Sequence, residues 1–542
     1  MTQTRLLDHF STLVRADPGA PVLFDGNAGR GTPQPVSRGE LRDAAAAMAD
    51  HFKAFGVGAG DCVGVWLPNW STAVAAQFGA LALGAHVIGV NTRYNSDEVA
   101  HVLDMARPKV IAIAHDFNNL DLLGRLVGVA DSNPGQAPAV VVVSAPGSRV
   151  QPSEATRYDV GAGAAAFVVS PSRVLRANPV EGLATAFTTS GSTGRSKIAA
   201  HTERGVVAHS LAVAAAARIG PGSTVLGALP MSGVFGFTPI MAAVLAGARV
   251  LLEPVFEAKG VLEDMVACGV THAAGADDLF GRLETAWQRH PLPLTLRWVG
   301  IADFEGRSRD VAAWAEAEFG TNVVGVYGSS ELFALTALWP ETTSPDLKWS
   351  GGGQLVSAGI QFRMGDPVSG EEAHEGQDGE LQFRGYNVVD TYLGDPALSA
   401  GAFTADGWFR TGDLGRKLGD NTFAYICRMG DVLRLRGFLV DPSEIELRLT
   451  AHPAVEVAKV VGVTGKHGGA VAIGFVVPVT GANPSGDELK SWCAETLAKF
   501  KVPWRVHVLE EMPTTSGING TKVKTATLRE IAASRLAEEP PS

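Results

Sequence analysis

The chain has 542 residues, 46% hydrophobic and 19% charged, with a formal net charge of −11. That is globular composition, enough at about 150 residues per domain for three or four compact units, and its acidic balance with no dense Lys/Arg block excludes a nucleic-acid-binding surface. The 63 glycines and 30 prolines are scattered without a period, which excludes collagen-like and low-complexity chains.

In chain order, apolar residues at helical spacing predict helices over Arg5–Val14 and Glu40–Phe55. A buried strand is expected at Asp61–Leu67, a helix at Ser71–Leu83, a strand at His86–Val90, a helix at Asp97–Met105, and strands at Lys109–Ala114 and Ala139–Val143. Apolar strands separated by helices imply a parallel α/β sheet covered on both faces. Residues 131–181 read as an irregular passage broken by Gly, Pro and Ser. Beyond it the alternation restarts: strand Leu183–Phe187, helix Val206–Ala217, strand Thr224–Leu229, helix Ile240–Leu245 and strand Ala248–Leu252. A further cycle follows through Val261–Cys268, Leu279–Gln288, Leu296–Val299, Asp310–Phe319 and Asn322–Val326. From Leu355 to Arg384 short strands broken by Gly, Pro and Asp suggest a β-barrel-like subdomain. After a boundary near Arg428–Asp431, residues 432–542 form a small α+β unit.

The four cysteines, Cys62, Cys268, Cys427 and Cys493, make no CxxC pair and no zinc spacing with histidine, so reduced, mostly buried thiols are expected. The N-terminus carries Asp8 where a signal peptide needs its apolar core, and no run is long enough for a membrane span. A cytoplasmic protein with small-molecule partners is expected.

The densest polar stretch, Thr189-Ser-Gly-Ser-Thr-Gly-Arg-Ser-Lys197, follows an apolar strand. Gly191 and Gly194 let the backbone turn close to a ligand, and the hydroxyls of Ser190, Ser192 and Thr193 with the Lys197 ammonium suit a polyphosphate. Gly191 and Gly194 lie three apart and Lys197 is followed by Ile198, so this is not a Walker loop. Other polar islands follow later strands. Tyr327-Gly-Ser-Ser-Glu331 offers an aromatic face for a base, the Ser330 hydroxyl, and in Glu331 a carboxylate for Mg²⁺. Asp406-Gly-Trp-Phe-Arg-Thr-Gly-Asp413 ends in a carboxylate suited to ribose hydroxyls. Arg428 with Gly437-Phe438, and Pro513-Thr-Thr-Ser-Gly-Ile-Asn-Gly-Thr-Lys522, complete the set. Each also has a plain structural reading: Asp413 with Arg428 as an ion pair, Tyr327 as a core aromatic, Glu331 as a helix-starting acid, Lys522 as a solvated lysine. His201, His209 and His272 are assigned to packing or surface.

In this order and spacing the islands resemble the adenylate-forming superfamily of acyl- and aryl-CoA synthetases, peptide-synthetase adenylation domains and beetle luciferases, over almost the whole chain. The resemblance implies a large N-terminal domain of stacked α/β sheets over 1–427, a hinge at 428–431 and a mobile C-terminal domain over 432–542. It implies that Thr189, Ser190, Gly191, Ser192, Thr193, Gly194 and Lys197 embrace the ATP phosphates, and that Ser330 and Glu331 meet the α-phosphate and Mg²⁺. Tyr327 is similar to the adenine-stacking aromatic, Asp413 and Arg428 to the ribose contacts, Gly437 and Phe438 to the coenzyme A channel, and Lys522 to the catalytic lysine. Pocket residues by position are Gly233, Val234, Phe235, Phe237, Ala302, Gly325 and Gly328. The implied reaction activates a carboxylic acid as its acyl-AMP and passes the acyl group to coenzyme A; a homodimer is compatible with it.

Several positions depart from the family pattern. Gly233 replaces a histidine or other aromatic, Ser196 a proline, Ile198 a glycine, and the hinge carries Gly430 instead of Lys or Asp. These departures leave two alternatives beside the full ligase, an enzyme that only transfers the acyl group from a supplied acyl-AMP and a non-catalytic acyl-adenylate-binding scaffold; a third, independent of them, is an adenylation enzyme loading a separate carrier protein.

Overall fold

In the computed structural model, fully apolar runs such as Cys62–Trp66 and Val110–Ala114 become strands buried on both faces. They belong to an eight-stranded sheet with the order Thr391–Tyr392, Ile198–Thr202, Leu183–Thr188, His86–Gly89, Cys62–Trp66, Val110–Ala114, Ala139–Val143 and Ala164–Ala166. The pairs from Leu183–Thr188 through Ala164–Ala166 are parallel, while Ile198–Thr202 runs antiparallel to both of its neighbours. The strands of a second sheet in the same unit run in the order Gly352–Leu355, Ala337–Leu338, Asn322–Tyr327, Trp298–Ala302, His272–Ala276, Thr224–Gly227, Arg249–Leu252, Pro21–Asp25 and Gln34–Ser37. The structure describes residues 5–27, 29–115, 117–132, 138–146, 164–166, 182–189, 196–304, 306–366, 371–373, 376–429, 433–435, 438–440, 442–464, 470–497, 501–517 and 520–538.

The chain divides into two compact units, Met1–Phe362 with Phe383–Phe409, and Arg363–Gln382 with Arg410–Ser542. Length alone suggested three or four. The first unit stays whole because one apolar core draws on both sheets, with Val63, Ile88 and Ile111 from the first and Val22, Val250 and Val324 from the second.

Helix ends follow local chemistry. Ser37 with Glu40 and Asn95 with Glu98 form capping boxes that start the helices Arg38–Ala54 and Ser96–Ala106. The helix expected at Ile240–Leu245 in fact begins at Val234, and all its residues are buried. A helix apolar on every face shows no 3.6-residue stripe, and Pro239 inside it hides its first turns from a sequence pattern. The strand His272–Ala276, His-Ala-Ala-Gly-Ala, lacks β-branched residues and was not anticipated. The strand expected at Leu296–Val299 lies at Trp298–Ala302, so Gly300 and Ala302 belong to the sheet. All four cysteines are buried, and none forms a disulfide.

The strand Phe409–Gly419, which enters the second unit at Arg410, forms an antiparallel hairpin with Thr422–Arg428. Farther along, Val455–Thr464, Ala470–Pro478 and Arg505–Val508 make a three-stranded sheet whose alternate residues face separate cores. Val460, Ala472 and Val476 share one core with Ile445, Leu449 and Leu489, while Val461, Ile473 and Phe475 share the other with Leu528 and Ala532. The helix Thr525–Glu538 that supplies Leu528 and Ala532 was not foreseen. Among the described residues no helix is long and apolar enough to cross a membrane.

Candidate active site

The stem of the 189–197 loop is built by the antiparallel pair Leu183–Thr188 and Ile198–Thr202, in which Thr188 faces Ile198. The Thr189 N–H closes the stem on the Lys197 carbonyl at 2.8 Å. Ser190, Gly191, Ser192, Thr193 and Gly194 lie outside the described residues. Both departures at the end of the loop are accommodated. Ile198 opens a strand with its side chain fully buried, so a glycine there would leave a void. The carbonyl of Ser196 accepts from His101 Nε2 at 2.6 Å. On the other arm, the hydroxyls of Thr188 and Tyr94 bond at 2.7 Å, and Arg125 donates to the Tyr94 carbonyl at 2.8 Å.

The second sheet brings its own loop to this stem. Tyr327 ends the strand Asn322–Tyr327, its buried ring stacked on Phe383 with centroids 6.2 Å apart. The following loop turns back so tightly that Phe333, Ala334 and Leu335 all have left-handed backbone, with φ of 61°, 49° and 43°. Three successive non-glycine residues in that region are strained, and the surroundings must hold them there. Buried side chains do so by donating to the loop's carbonyls: His201 Nε2 to Ser330 at 2.8 Å, Asn387 Nδ2 to Leu332 at 3.0 Å, Thr238 Oγ1 to Phe333 at 3.0 Å and His209 Nε2 to Ala334 at 2.7 Å. Complete burial pushes both imidazoles down to about 4, so each is neutral with its single proton on the donating nitrogen. Phe333 itself is fully buried, edge-on to Phe187, Phe237, His201 and His209. The two histidines, assigned to packing or surface from sequence, are thus buried donors; His272 is buried in its strand with Nε2 3.1 Å from the Ala217 carbonyl.

Glu331 is held at both ends. Its carbonyl accepts from the Val389 N–H at 2.7 Å, and its carboxylate Oε1 from the Tyr392 hydroxyl at 3.2 Å. The same tyrosine ring lies under the Lys197 ammonium, with Nζ 5.3 Å from the centroid. Tyr392 is buried, and its strand pairs with the start of Ile198–Thr202 through Tyr392 opposite Ala199. Sequence reasoning missed it, because Asp390-Thr-Tyr392 carries no Gly/Ser/Thr run; the signal was only a polar residue and an aromatic between two glycine turns. Glu331 Oε2 has no hydrogen-bond partner among the described residues. No group of three or more His, Cys, Asp or Glu gathers there among them either. One partly buried carboxylate with an oxygen not bonded among the described residues fits Mg²⁺, which is held by one or two carboxylates together with substrate phosphates.

The pocket residues named from sequence separate into different surroundings. Gly233 caps the buried helix Val234–Leu245; Val234 and Phe235 lie in its first turn, and Phe237 packs into the core on Phe187 and Phe333. Gly325 faces the Lys348 carbonyl, which a Cβ would strike. Gly328 abuts Ala334 and Leu335, where a Cβ would lie 2.7 Å from backbone atoms. Ala302 ends its strand beside Asp303, whose carboxyl accepts from the Ser308 hydroxyl at 2.7 Å. Burial first, and then the charge of Asp277, raises the Asp303 pKa.

In the second unit Asp413 and Arg428 face each other across the hairpin, joined by a 2.7 Å ion pair, with Asp413 buried and Arg428 exposed. Gly412 makes the turn into this pair with φ of 72°. Phe438 begins the strand Phe438–Val440, and Lys522 stands opposite Thr515 in the hairpin of Thr514–Gly517 with Gly520–Val523. Gly430 and Gly437 lie outside the described residues, as do the side chains of Phe438 and Lys522.

The profile of the AMP-binding enzyme family matches residues 10–393, and that of the AMP-binding enzyme C-terminal domain matches 444–517. The chain is 29% identical over 489 residues to a 3-[(3aS,4S,7aS)-7a-methyl-1,5-dioxo-octahydro-1H-inden-4-yl]propanoyl:CoA ligase of Rhodococcus jostii, covering 87% of this chain and 89% of that one. It is 26% identical to a 2-succinylbenzoate–CoA ligase of Bacillus licheniformis, covering 86% and 89%. Its fold is similar to ATP-bound MatB from Rhodopseudomonas palustris, with a TM-score of 0.80 at 24% identity over 99% of this chain and 100% of that one. It is likewise similar to the anthranilate CoA ligase AuaEII in complex with anthranoyl-AMP, with a TM-score of 0.77 at 20% identity over 98% of each chain. The motif resemblance therefore holds at the level of the whole fold, and the chain belongs to the AMP-binding enzyme family.

Proposed function

We propose that the protein is an AMP-forming acid–thiol ligase that uses ATP, Mg²⁺ and coenzyme A to make the CoA thioester of a ring-bearing carboxylic acid. The observation that carries this reading is the convergence of Lys197 and Glu331, supplied by different sheets, on Tyr392. A cation and a metal-binding carboxylate meet at the base of a Gly/Ser/Thr loop, which is what a triphosphate needs. Family membership supports the adenylate step, the names of the relatives support the thiol step, and the two relatives named above lend support to a ring-bearing acid.

In this reading a carboxylate oxygen of the acid attacks the α-phosphorus, the bond to the bridging oxygen breaks, and pyrophosphate leaves. Lys197 and the backbone of 189–194 hold the β- and γ-phosphates, and Ser330 hydrogen-bonds the α-phosphate. Glu331 is the residue that would hold Mg²⁺, which when bound neutralises phosphate charge. Lys522 approaches the α-phosphate and carboxylate and offsets the charge that grows there in the transition state. Asp413 and Arg428 take the ribose, and Tyr327 the adenine. The CoA sulfur then attacks the acyl carbon, its proton passes to solvent, and AMP leaves; Gly437 and Phe438 flank the pantetheine. The change between half-reactions is assigned to 428–431, with Gly430 as pivot between domains 1–427 and 432–542.

The test is pyrophosphate exchange and thioester formation, followed by mass, with a panel of polycyclic, aryl and fatty acids and their synthetic adenylates. Lys522→Ala should lower exchange by about a hundredfold or more and spare transfer from a ready-made adenylate. Conversion of adenylates without exchange in the wild type would replace the ligase by a transfer enzyme. Acylation of a carrier protein in place of CoA would make it a loading enzyme, and binding without turnover a scaffold.

A further inference from the structure

Lys197 and Glu331 carry opposite charges and belong to neighbouring loops. Left to themselves they would close on each other, and a closed pair would occupy the groups that a phosphate and a metal need. Among the described residues no ion pair joins them. Tyr392 touches both and offers a different surface to each: its ring face to the Lys197 ammonium at 5.3 Å and its hydroxyl to Glu331 Oε1 at 3.2 Å. The phenol hydroxyl is a directional donor to a carboxylate, while the ring face attracts a cation without claiming any of its three N–H bonds.

The placement of this tyrosine is over-determined. Its N–H donates to Ser399 Oγ at 2.9 Å, the Leu393 N–H donates to the Ile198 carbonyl at 2.9 Å, and the Asp390 N–H to the Ala200 carbonyl at 3.0 Å. The backbone around Tyr392 is thereby stitched to the strand that begins one residue after Lys197. Glu331 is tied to the same segment a second time, through the Val389 N–H to its carbonyl at 2.7 Å. The short stretch 389–393 thus sets the spacing between the loop stem and the carboxylate, and Tyr392 sets the directions of the two charged heads.

We infer that Tyr392 is a positioning residue for metal-nucleotide binding: its hydroxyl fixes Glu331 so that Oε2 is turned to the metal, and its ring keeps the Lys197 ammonium available to phosphate oxygen. The inference rests on the proposed roles of Glu331 and Lys197. The two surfaces of Tyr392 are separable, which makes it testable. Tyr392→Phe removes the donor and keeps the ring. Tyr392→Leu removes both.

The experiment is calorimetric titration of the full-length protein with ATP, with and without Mg²⁺, alongside thermal melting. The wild type should bind MgATP more tightly than metal-free ATP. Loss of one hydrogen bond to a charged group predicts that Tyr392→Phe loses that preference by about tenfold or more while metal-free ATP binds as before. Tyr392→Leu should weaken metal-free ATP as well. The Phe variant, close to isosteric, should melt within a few degrees of wild type, so a purely structural role would not produce this split. An unchanged Mg²⁺ preference in Tyr392→Phe overturns the inference and leaves the proposed function standing. A wild type with no metal-dependent binding of ATP overturns the roles of Glu331 and Lys197, and the inference with them. Equal loss of both ATP forms in Tyr392→Phe also overturns it, because the hydroxyl would then serve the fold and not the metal.

Discussion

His201 donates from Nε2 to the carbonyl of Ser330 at 2.8 Å, tying the strand that leaves the 189–197 loop to the residue that precedes Glu331. The donor is neutral because burial holds its pKa at about 4, as for His209, and in both rings Nδ1 is buried with no hydrogen-bond partner among the described residues. A proton added there would have nothing to bond and would bring two imidazolium charges together.

Folding stability should therefore depend on pH in a defined window. Each folded pKa of about 4 lies below the free value of 6.5, so as pH falls the unfolded chain binds the proton first. The stabilisation is fully present above pH 6.5 and is lost as pH falls toward 4, on the order of 3 kcal/mol for each ring. Urea midpoints measured from pH 8 to pH 4.5 should show the decline. His209→Gln should be less stable at neutral pH yet have a shallower dependence. A flat wild-type curve would contradict the assignment of neutral buried rings.

Gly328 has no room for a side chain, since a Cβ would sit 2.7 Å from Ala334 Cα and from Leu335 N. Gly328→Ala must displace the left-handed turn, at about 1–3 kcal/mol of stability. Because Glu331 lies in the same loop, pyrophosphate exchange should fall further than a stability loss of that size explains. Normal exchange in a destabilised variant would show that the loop tolerates the shift.

For Asp413 and Arg428, stability and affinity should part company. The arginine head is 46% exposed, so the ion pair adds little to folding, about 1 kcal/mol or less. If the pair serves the ribose, Asp413→Asn should weaken ATP by about tenfold or more while the melting temperature barely moves. A lowered melting temperature with unchanged ATP binding would make the pair structural.

Asp303 should titrate in the opposite sense to the histidines. Its folded pKa is raised to about 6 from 3.8, by burial and then by the Asp277 charge, so the folded state binds the proton more tightly. Its contribution is present below pH 3.8 and is lost as pH rises through about 6. Asp303→Asn should gain stability relative to wild type above pH 6 and show no gain at pH 3.5, by chemical denaturation at both ends. Equal effects at the two pH values would refute the raised pKa.

The parts of the fold with a local signature were legible in advance. Cys62–Trp66, Val110–Ala114 and Ala139–Val143 are unbroken apolar runs, and Arg38–Ala54 announces itself by Ser37 and Glu40. Other elements carry no such signature. The wholly buried helix Val234–Leu245 has no polar face to set its phase, and His272–Ala276 has no β-branched residue to mark a strand. The motif Tyr327-Gly-Ser-Ser-Glu331 was visible, but the left-handed turn behind it was not, since Phe333, Ala334 and Leu335 are ordinary helix or strand residues by preference.

By itself the sequence determined the order of apolar strands and polar loops, and hence the family, because periodicity and motif chemistry are carried by residues close together along the chain. Only the tertiary structure decided which of those loops meet. The Tyr392 contact with Glu331 spans 61 residues, and those of His201 with Ser330 and His209 with Ala334 span 129 and 125. No local pattern encodes such pairings; they follow from two sheets sharing one core, which brings loops from distant strands into contact.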